Sequence, residues 1–361
     1  MKVLVVQTKN MGDVLFSSAI CNTIKLNENS AAIDFICRDF CKGMILNNPN
    51  IRNIITIDEK KKNNLFYMLK ILLKIRKEKY DIIVNAQGQL TGFLICLFSK
   101  AKIKTGFDFK YWKLLQTHNI DYHKDAKNYG FGLTVDHRLA LLNPLKFKKI
   151  SSYKIFLSEK EKEHGKKLFQ KSGIDLKKPI VALGVNSLGE YKNWPKEHYA
   201  KLIEKLLAHY DIQIWIYFSP REKNYNLSIK KMVPLKYHEK IFTNVETKNI
   251  REFISALNNC DFFIGNETGP RSISQGLNIP AFVIVSPTGE KNCNPTNNSK
   301  YRAVDLQDKL KINNEKYKEI ASIIIRGQND LNWFGKIDPD FVYKEIEKMI
   351  VEEKIFITKV S

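Results

Sequence analysis

A carboxylate follows the first apolar run of the chain. The run VLVVQ ends at Gln7, and TKNMGDVLFSS, residues 8–18, follows it with Gly12-Asp13 at its centre. The run predicts a buried strand and residues 14–26 predict a helix, so Asp13 is expected where a strand turns into a helix. There the carboxylate can either cap its own helix or serve as a catalytic base. The predicted function depends on which of these roles Asp13 takes.

The segment GNETGPRS, in the second half of the chain, joins a predicted strand to a predicted helix. Gly269 allows the backbone to approach a ligand closely, and the amides that begin the helix can hold phosphate oxygens. The Glu267 carboxylate can accept hydrogen bonds from sugar hydroxyls. The alternative interpretation is structural, a turn in which Thr268 caps the helix.

Two further charged residues follow strands of the second half. Lys192 lies just before Trp194-Pro195, which leads into a predicted helix. An ammonium there can reach a leaving phosphate, and a solvated lysine is the structural alternative. Glu222, in FSPREK after another strand, either caps the next helix or binds a ribose or sugar hydroxyl.

Strands and helices alternate along both halves of the chain. In the first half, the predicted strands are AIDFICR, IRNIITID, YDIIVNAQG and AKIKTGF, and the predicted helices include residues 64–79 and 90–99. In the second half, helices separate the strands PIVALGV, IQIWIYF, DFFIGNE and PAFVIVS. This alternation predicts an α/β fold with two parallel, doubly wound sheets.

A charged stretch within residues 145–178 separates the two predicted domains. We expect an N-terminal Rossmann-like domain over 1–160 and a C-terminal Rossmann-like domain over 175–335. A helical segment, 336–361, is expected to pack back on the N-terminal domain. Two facing doubly wound domains place a ligand in the cleft between them, at the carboxyl ends of their strands.

The chain has 361 residues and a formal net charge of +21. A solvated lysine-rich surface explains this charge, and so does an anionic partner: nucleic acid, a membrane surface or a phosphorylated substrate. The first apolar run is too short for a signal peptide. The later run LTGFLICLF, residues 90–98, is about half as long as a transmembrane helix. A cytoplasmic protein is therefore expected.

Several familiar motifs are absent from the sequence. No GxGxxG follows the first strand, and there is no GxxxxGK[ST] and no HExxH. These absences argue against a nicotinamide-binding domain, a P-loop and a zinc protease site. Asp338-Pro339-Asp340 has the DxD spacing of some metal-dependent sugar transferases. An N-cap at Asp338 with Pro339 at the first helical position explains it better, so no metal site is expected.

Taken together, these segments resemble glycosyltransferase family 9, the ADP-heptose:lipopolysaccharide heptosyltransferases. In the first half the resemblance lies in VLVVQTKNMGDVLFSSAICNTIK, YDIIVNAQGQLTG and IKTGF. After the linker it lies in YKNWPKEHYAKLI, IYFSPRE, REFISALNNCDFFIGNETGPRSISQGLNIPAFVIVSPT and IDPDFVYKEIEKM. These segments span most of the chain in order. The resemblance implies the GT-B fold, with two Rossmann-like domains facing a cleft, and transfer without a metal. It also implies that the N-terminal domain, 1–160, binds the acceptor and that the C-terminal domain, 175–335, binds the nucleotide sugar.

The resemblance also implies roles for individual residues. Asp13 matches the general base proposed for the family, which takes a proton from the acceptor hydroxyl. Two positions depart from the family pattern, because the family usually has Asp where this chain has Glu267 and His where it has Ser272. Both departures bear on the identity of the sugar and on activity. The positions that match or surround the nucleotide-sugar site are Ser187, Lys192, Glu222, Glu267, Thr268, Gly269 and Ser272.

The implied function is inverting, metal-independent transfer of heptose from ADP-heptose, without a cofactor. The implied acceptor is the phosphorylated Kdo- or heptose-containing inner core of lipopolysaccharide or lipooligosaccharide. The implied location is the cytoplasmic face of the inner membrane of a Gram-negative bacterium. Peripheral membrane contact is expected through the basic helix 64–79 and KYWKLL, residues 110–115, although packing of their apolar sides on the first sheet is favoured.

Two alternatives remain open from the sequence. One is a transferase of the same fold that uses another nucleotide sugar in cell-surface glycan synthesis. The other is a non-catalytic basic module that binds nucleic acid or membrane. The sequence carries no RNA- or DNA-binding signature, so nucleic acid is not the expected partner.

Overall fold

The computed structural model of the chain describes residues 1–109, 111–122, 124–148, 151–187, 192–217, 222–289, 291–326 and 332–356. Lys110 of KYWKLL and residues 218–221 of FSPREK lie outside the described residues. Two compact units divide the chain, Met1–Leu157 (unit 1) and Ser158–Ser361 (unit 2). Each unit is built on a six-stranded parallel sheet with helices between its strands. The predicted α/β class with two doubly wound sheets is therefore confirmed.

The sheet of unit 1 is fully parallel. Its strands are β1 Lys2–Val6, β2 Ala32–Arg38, β3 Asn53–Ile57, β4 Ile82–Asn85, β5 Ile103–Phe107 and β6 His118–Ile120, in the spatial order β3-β2-β1-β4-β5-β6. Strand β1 lies at the centre, where Val3 pairs with Ile33 on one side and with Ile82 on the other. Residues 3–6 are completely buried, as expected for a parallel strand that is covered on both faces.

Four helices of unit 1 are α1 Met11–Asn27, α2 Leu65–Glu78, α3 Leu90–Phe98 and α4 Leu133–Ala140. Short 3₁₀ helices occupy Asp39–Met44, Lys113–Leu115 and Asn143–Leu145. Helix α1 begins three residues before the predicted start, because the Val14 amide donates to the Asn10 carbonyl and closes the first turn. Asp13 is therefore inside the first turn of α1, not before it.

The sheet of unit 2 repeats the topology of unit 1. Its strands are β7 Ile180–Gly184, β8 Gln213–Ile216, β9 Ile241–Phe242, β10 Phe262–Asn266, β11 Ala281–Ile284 and β12 Tyr301–Val304, in the order β12-β11-β10-β7-β8-β9. The helices of its described part are α5 Glu159–Lys171, α6 Lys196–His209, α7 Lys223–Met232, α8 Ile250–Leu257, α9 Gly269–Gly276, α10 Leu306–Leu310, α11 Asn314–Ile325 and α12 Pro339–Glu353, with 3₁₀ helices at Leu235–Lys240, Lys291–Cys293 and Trp333–Lys336.

The last helix packs inside unit 2. Helix α12 lies against α6, and Val342, Ile346 and Met349 are fully buried in the core that both helices share with the sheet. The expected return of residues 336–361 to the N-terminal domain, like the other expected domain limits, stays a prediction.

The sequence patterns do not indicate α4 or the short strands β6, β9 and β12. These strands have two to four residues, which is too short for the alternation or apolar run that predicts a strand. Each one extends an edge of its sheet, so pairing with the preceding strand decides its conformation.

A buried carboxylate joins three strands of unit 1. Asp34, on β2, is almost completely buried and accepts hydrogen bonds from Arg52 at 2.6 and 3.0 Å, from Asn53 at 3.1 Å and from the Tyr80 hydroxyl at 2.7 Å. Burial raises the pKa of Asp34, but the hydrogen bonds from Arg52 and Tyr80 outweigh burial, and the pKa lies below its ordinary value. The ionised form is therefore the one that stabilises the fold.

We expect Asp34→Ala to lower the free energy of unfolding by about 3 kcal/mol at pH 7, because it leaves the partners of a buried carboxylate unpaired. The folded-state pKa is depressed, so this stabilisation is present above the unfolded pKa of about 3.9 and is lost as the pH falls through the folded value. Urea denaturation at pH 7 and at pH 3 measures the difference, which should shrink at pH 3.

Asp211→Ala is the matched control, because the Asp211 side chain is 42% exposed and pairs with Lys178 and Lys240 at the surface. Exposed pairs contribute about 0–1 kcal/mol. Equal destabilisation by the two variants would contradict the role of Asp34.

Candidate functional site

The loops that follow β1 and β4 are joined to each other at the carboxyl edge of sheet 1. Strands β1 and β4 lie side by side at the centre of the sheet, and the chain adds later strands to the left of β1 and to the right of β4. The gap between two such strands is the topological switch point, where doubly wound sheets bind ligands. The side-chain amide of Gln7 donates a hydrogen bond from Nε2 to the Ala86 carbonyl at 2.7 Å. The Thr8 amide and hydroxyl both donate to Gln87 Oε1, at 2.6 and 2.9 Å. The backbone that leads to Asp13 is therefore fixed before α1 begins.

The Asp13 carboxylate forms its ion pair with a residue of another helix and does not cap its own helix. Its Oδ1 accepts a hydrogen bond from Arg138 Nη2, on α4, at 2.9 Å. The N-cap position of α1 is Asn10, whose side chain makes no capping bond. The Asp13 side chain is 26% exposed, whereas that of Arg138 is 8% exposed. The carboxylate is thus held by a buried cation and still reaches solvent, which a general base requires.

The sequence interpretation did not identify Arg138. Its guanidinium lies 5.5 Å from the centre of the Phe107 ring, and its Nε is buried without a hydrogen-bond partner among the described residues. Two residues earlier, burial raises the pKa of Asp136 to about 6, even though this carboxyl accepts hydrogen bonds from the Tyr129 and Phe131 amides. A signal was present, because Asp-His-Arg interrupts the apolar run LTV…LALL.

A buried asparagine organises the switch point of unit 2, between β7 and β10. Asn266 ends β10; its Nδ2 donates to the Val185 carbonyl at 3.0 Å, and its Oδ1 accepts from the Tyr199 hydroxyl at 2.9 Å. The Trp194 indole donates to the Ile337 carbonyl at 2.7 Å. After β7, the Ser187 amide donates to Asn193 Oδ1 at 2.6 Å. These bonds position Ser187 and the segment that carries Lys192.

The N-terminus of α9 is open. Thr268 is its N-cap residue, and its hydroxyl donates to the Asn266 carbonyl at 3.4 Å within the turn but makes no capping bond to the helix. A Cβ atom on Gly269 would meet no atom of the described residues within 4 Å. In the first turn, the buried Arg271 guanidinium donates to Asn294 Oδ1 at 2.7 Å and takes part in no ion pair within the described chain. The helix dipole and this cation both favour an anion here.

Glu267 lies against the loop that follows β11. A Cβ atom on Gly289 would fall 2.2 Å from Glu267 Oε2 and 2.9 Å from Val285 Cγ1, so any side chain at this position would displace the carboxylate. Burial raises the pKa of Tyr317, and the negative charges of Asp305 and Glu267 add to the effect. The sequence indicated Glu267 but not the glycine that accommodates it.

The remaining predicted residues occupy different surroundings. Glu222 is the N-cap residue of α7, but its side chain makes no capping bond. Lys192 is half-buried just ahead of Trp194. Ser272, the fourth residue of α9, is 4% exposed. Unit 2 thus brings Ser187, Thr268 and Gly269 to one switch point, and their binding roles stay predictions.

An open cavity of about 800 Å³ lies in unit 2 beside the start of α7. Its lining includes Lys223, Glu246 and Thr247, and therefore the loop that follows β9 at the carboxyl edge of sheet 2. The cavity is large enough for a nucleoside.

Asp338 behaves as the sequence predicted. Its carboxylate accepts from the Phe341 amide at 2.9 Å and caps α12, with Pro339 in the first turn. Asp340 pairs with Lys205 at 2.7 Å. Over the described residues, no cluster of three His, Cys, Asp or Glu side chains could hold a metal ion. No helix in the same part of the chain is long and apolar enough to cross a bilayer.

Comparison with known proteins decides the family. A model of glycosyltransferase family 9 (heptosyltransferase) matches residues 68–322. The chain belongs to glycosyltransferase family 9. It is therefore an enzyme of the glycosyltransferase class, as the resemblance implied. Lipopolysaccharide heptosyltransferase 1 of Campylobacter coli is 24% identical to it over 336 residues, which cover 90% of this chain and 94% of the relative.

Solved structures of family 9 proteins share the fold. The glycosyl transferase family 9 protein of Veillonella parvula superposes with a TM-score of 0.81 at 16% identity, covering 97% of each chain. An E. coli heptosyltransferase bound to ADP-2-deoxy-2-fluoro heptose superposes with a TM-score of 0.66 at 15% identity, covering 96% of this chain and 99% of the other. The GT-B class expected for this family 9 chain is thus confirmed.

Gly289→Ala tests the predicted role of Glu267 in donor binding. The added Cβ displaces the Glu267 carboxylate, the mobile end of a flexible side chain, so we expect a stability loss of about 1 kcal/mol. Loss of a hydrogen bond to a charged group should weaken ADP-heptose binding about tenfold, measured by calorimetry. Glu267→Asp in the same chain should restore part of the affinity, because the shorter carboxylate avoids the new methyl group.

Gly12→Ala is the control, because its Cβ would lie 3.8 Å from the nearest atom, in ordinary contact. Unchanged affinity in Gly289→Ala would remove Glu267 from the donor site.

Proposed function

We propose that the protein is an inverting, metal-independent heptosyltransferase that moves a heptose from ADP-heptose to the phosphorylated inner core of lipopolysaccharide or lipooligosaccharide. The family supports the reaction class. Named relatives that are lipopolysaccharide and lipooligosaccharide heptosyltransferases support the acceptor class, and the neighbour that holds an ADP-heptose analogue supports the donor. We place the reaction at the cytoplasmic face of the inner membrane of a Gram-negative bacterium, where a soluble nucleotide sugar can meet a lipid-linked acceptor.

The pairing of Asp13 with Arg138 carries this proposal. A base for glycosyl transfer must be ionised, fixed in direction and accessible to a hydroxyl. The buried guanidinium gives the Asp13 carboxylate a cationic partner, the 2.9 Å hydrogen bond fixes one oxygen, and a quarter of the side chain remains exposed. A carboxylate that capped its own helix would meet the first requirement and not the third.

The donor side uses the chemistry of unit 2. The departing diphosphate gains negative charge as its bond to the anomeric carbon breaks, so positive groups near it lower the barrier. The open start of α9 at Gly269 offers amide dipoles, and Lys192 offers an ammonium. Glu222 and Glu267 accept hydrogen bonds from ribose and sugar hydroxyls.

The reaction is a single displacement. The acceptor oxygen forms a bond to the anomeric carbon on the face opposite the diphosphate, while the bond from that carbon to the leaving oxygen breaks. Asp13 takes the hydroxyl proton, and ADP leaves with the electron pair. One displacement inverts the configuration of the anomeric carbon, and no metal takes part in the charge balance.

A transfer assay with a small donor panel tests the proposal. The protein is incubated with heptose-deficient lipopolysaccharide and ADP-heptose, and with other nucleotide sugars in parallel. We expect a mass increase of one heptose with ADP-heptose alone. Transfer from a different donor would replace the heptose assignment with the second candidate, which Glu267 favours because it is longer than the family's usual Asp. Salt-sensitive nucleic-acid binding without nucleotide-sugar binding would instead support a non-catalytic module.

Asp13→Asn should lower turnover by a factor of about 10²–10⁴ and leave the affinity for ADP-heptose nearly unchanged, because it removes the base but keeps the shape. Initial rates of transfer and calorimetric donor titration measure the two effects. Asp39→Asn, at an exposed carboxylate that begins the next 3₁₀ helix, is the matched control and should keep normal turnover. Normal turnover in Asp13→Asn would refute the assigned base.

A further inference from the structure

Helix α2 has two apolar faces, and only one of them packs on the sheet. Met68, Ile71, Leu72 and Ile75 are buried in the core of unit 1. A second apolar stripe points outward, although packing on the sheet was the favoured role for the apolar residues of this helix. At about 100° per residue, its members fall within one sector of about 100°. They are Leu65, Phe66, Leu69 and Leu73, which are 77%, 83%, 38% and 53% exposed.

Exposed apolar residues also lie on the elements next to α2. Helix α2 contacts α3, and α3 contacts the 3₁₀ helix Lys113–Leu115. Trp112 stacks on Phe93 of α3 with ring centres 5.1 Å apart, and Leu115 packs against the core that holds α2, so these elements are fixed beside one another. Half of the 20 exposed large apolar residues of the described chain lie here: Leu65, Phe66, Leu69, Leu73, Leu90, Leu97, Phe109, Tyr111, Trp112 and Leu114.

A basic row borders the exposed stripe of α2. Lys70, Lys74 and Lys77 fall within the next sector of about 60°, and all three are exposed. Within the described chain, no ion pair involves any of these three lysines. Their charge is therefore available to an external anionic surface.

We infer that this surface, formed by α2 and residues 111–114, binds an anionic lipid bilayer. Leucine and phenylalanine enter the acyl boundary, tyrosine and tryptophan lie at the headgroup level, and the lysine row meets the lipid phosphates. A second copy of the chain is a poorer occupant, because a symmetric contact would bring two lysine rows of like charge together. The inference deepens the proposed location and rests on the proposed function for the choice of a bacterial inner membrane.

The test is vesicle sedimentation with phosphatidylethanolamine and phosphatidylglycerol, with phosphatidylcholine vesicles as the neutral comparison. We expect the protein to bind the anionic vesicles only. Phe66→Ser with Leu73→Ser should weaken this binding at least tenfold, because two exposed anchors are lost. Lys70→Gln with Lys74→Gln should weaken it about fivefold per lysine and flatten its salt dependence.

Leu235→Ser with Ile325→Ser is the matched control, since these unit 2 residues are 81% and 71% exposed. It should bind vesicles as the unchanged protein does. Circular dichroism melting should be the same for all variants, because every changed side chain is exposed. Vesicle binding that is unchanged in the Phe66→Ser, Leu73→Ser variant overturns the inference. The inference is also overturned if the unchanged protein does not bind vesicles and light scattering shows a dimer that these two substitutions dissociate.

Transfer to a delipidated core oligosaccharide separates this inference from the proposed function. The Phe66 and Leu73 variant should keep its turnover with the soluble acceptor and lose it with acceptor in vesicles. Vesicle binding without transfer from any nucleotide sugar would leave the surface intact and refute the function. Transfer of heptose to both acceptors without vesicle binding would support the proposed function and refute the membrane-binding surface.

Discussion

The order of strands in each sheet is the constraint on which both candidate sites depend. In unit 1 the strand order reverses direction between the central strands β1 and β4, and in unit 2 it reverses between β7 and β10. The connections after such a central pair diverge to opposite faces, so polar loops can meet a ligand only at the carboxyl edge. Asp13 and Gln87 follow the central pair of unit 1, and Ser187 and Thr268 follow that of unit 2.

Loops at a sheet edge are useful only if they are rigid, and buried amide side chains supply this rigidity. Asn266 joins the end of β10 to the Val185 carbonyl and to Tyr199, while Gln7 and Gln87 join the two loops of unit 1. A buried amide that lost these partners would be costly to bury, so the loops have one low-energy arrangement. The candidate site residues are thus placed by residues that need not touch a substrate.

Charge is distributed unevenly over these positions. Arg138 and Arg271 are buried cations beside the two switch points, and each leaves its Nε without a hydrogen-bond partner in the described chain. Arg138 holds the Asp13 carboxylate, whereas Arg271 lies in the first turn of α9, where the helix dipole has its positive end. The lysine row of α2 lies outside both sites and contributes to the net charge of +21 without entering the proposed chemistry. The two kinds of positive charge therefore have different proposed uses, one for catalysis and one for attachment.

The sequence by itself determined the α/β class, most of the central strands, the family and the position of Asp13 after the first strand, because apolar periodicity and local motifs encode these features. It did not indicate Arg138, Asn266 or Gly289, nor the edge strands β6, β9 and β12. Arg138 lies 125 residues from Asp13, and Gly289 meets the Glu267 carboxylate and Val285 only in the folded chain. From the sequence alone, Asp13 could either cap its own helix or serve as a catalytic base. Only the tertiary structure shows which partner the Asp13 carboxylate takes, because the packing of α4 against α1 brings the buried Arg138 guanidinium to it.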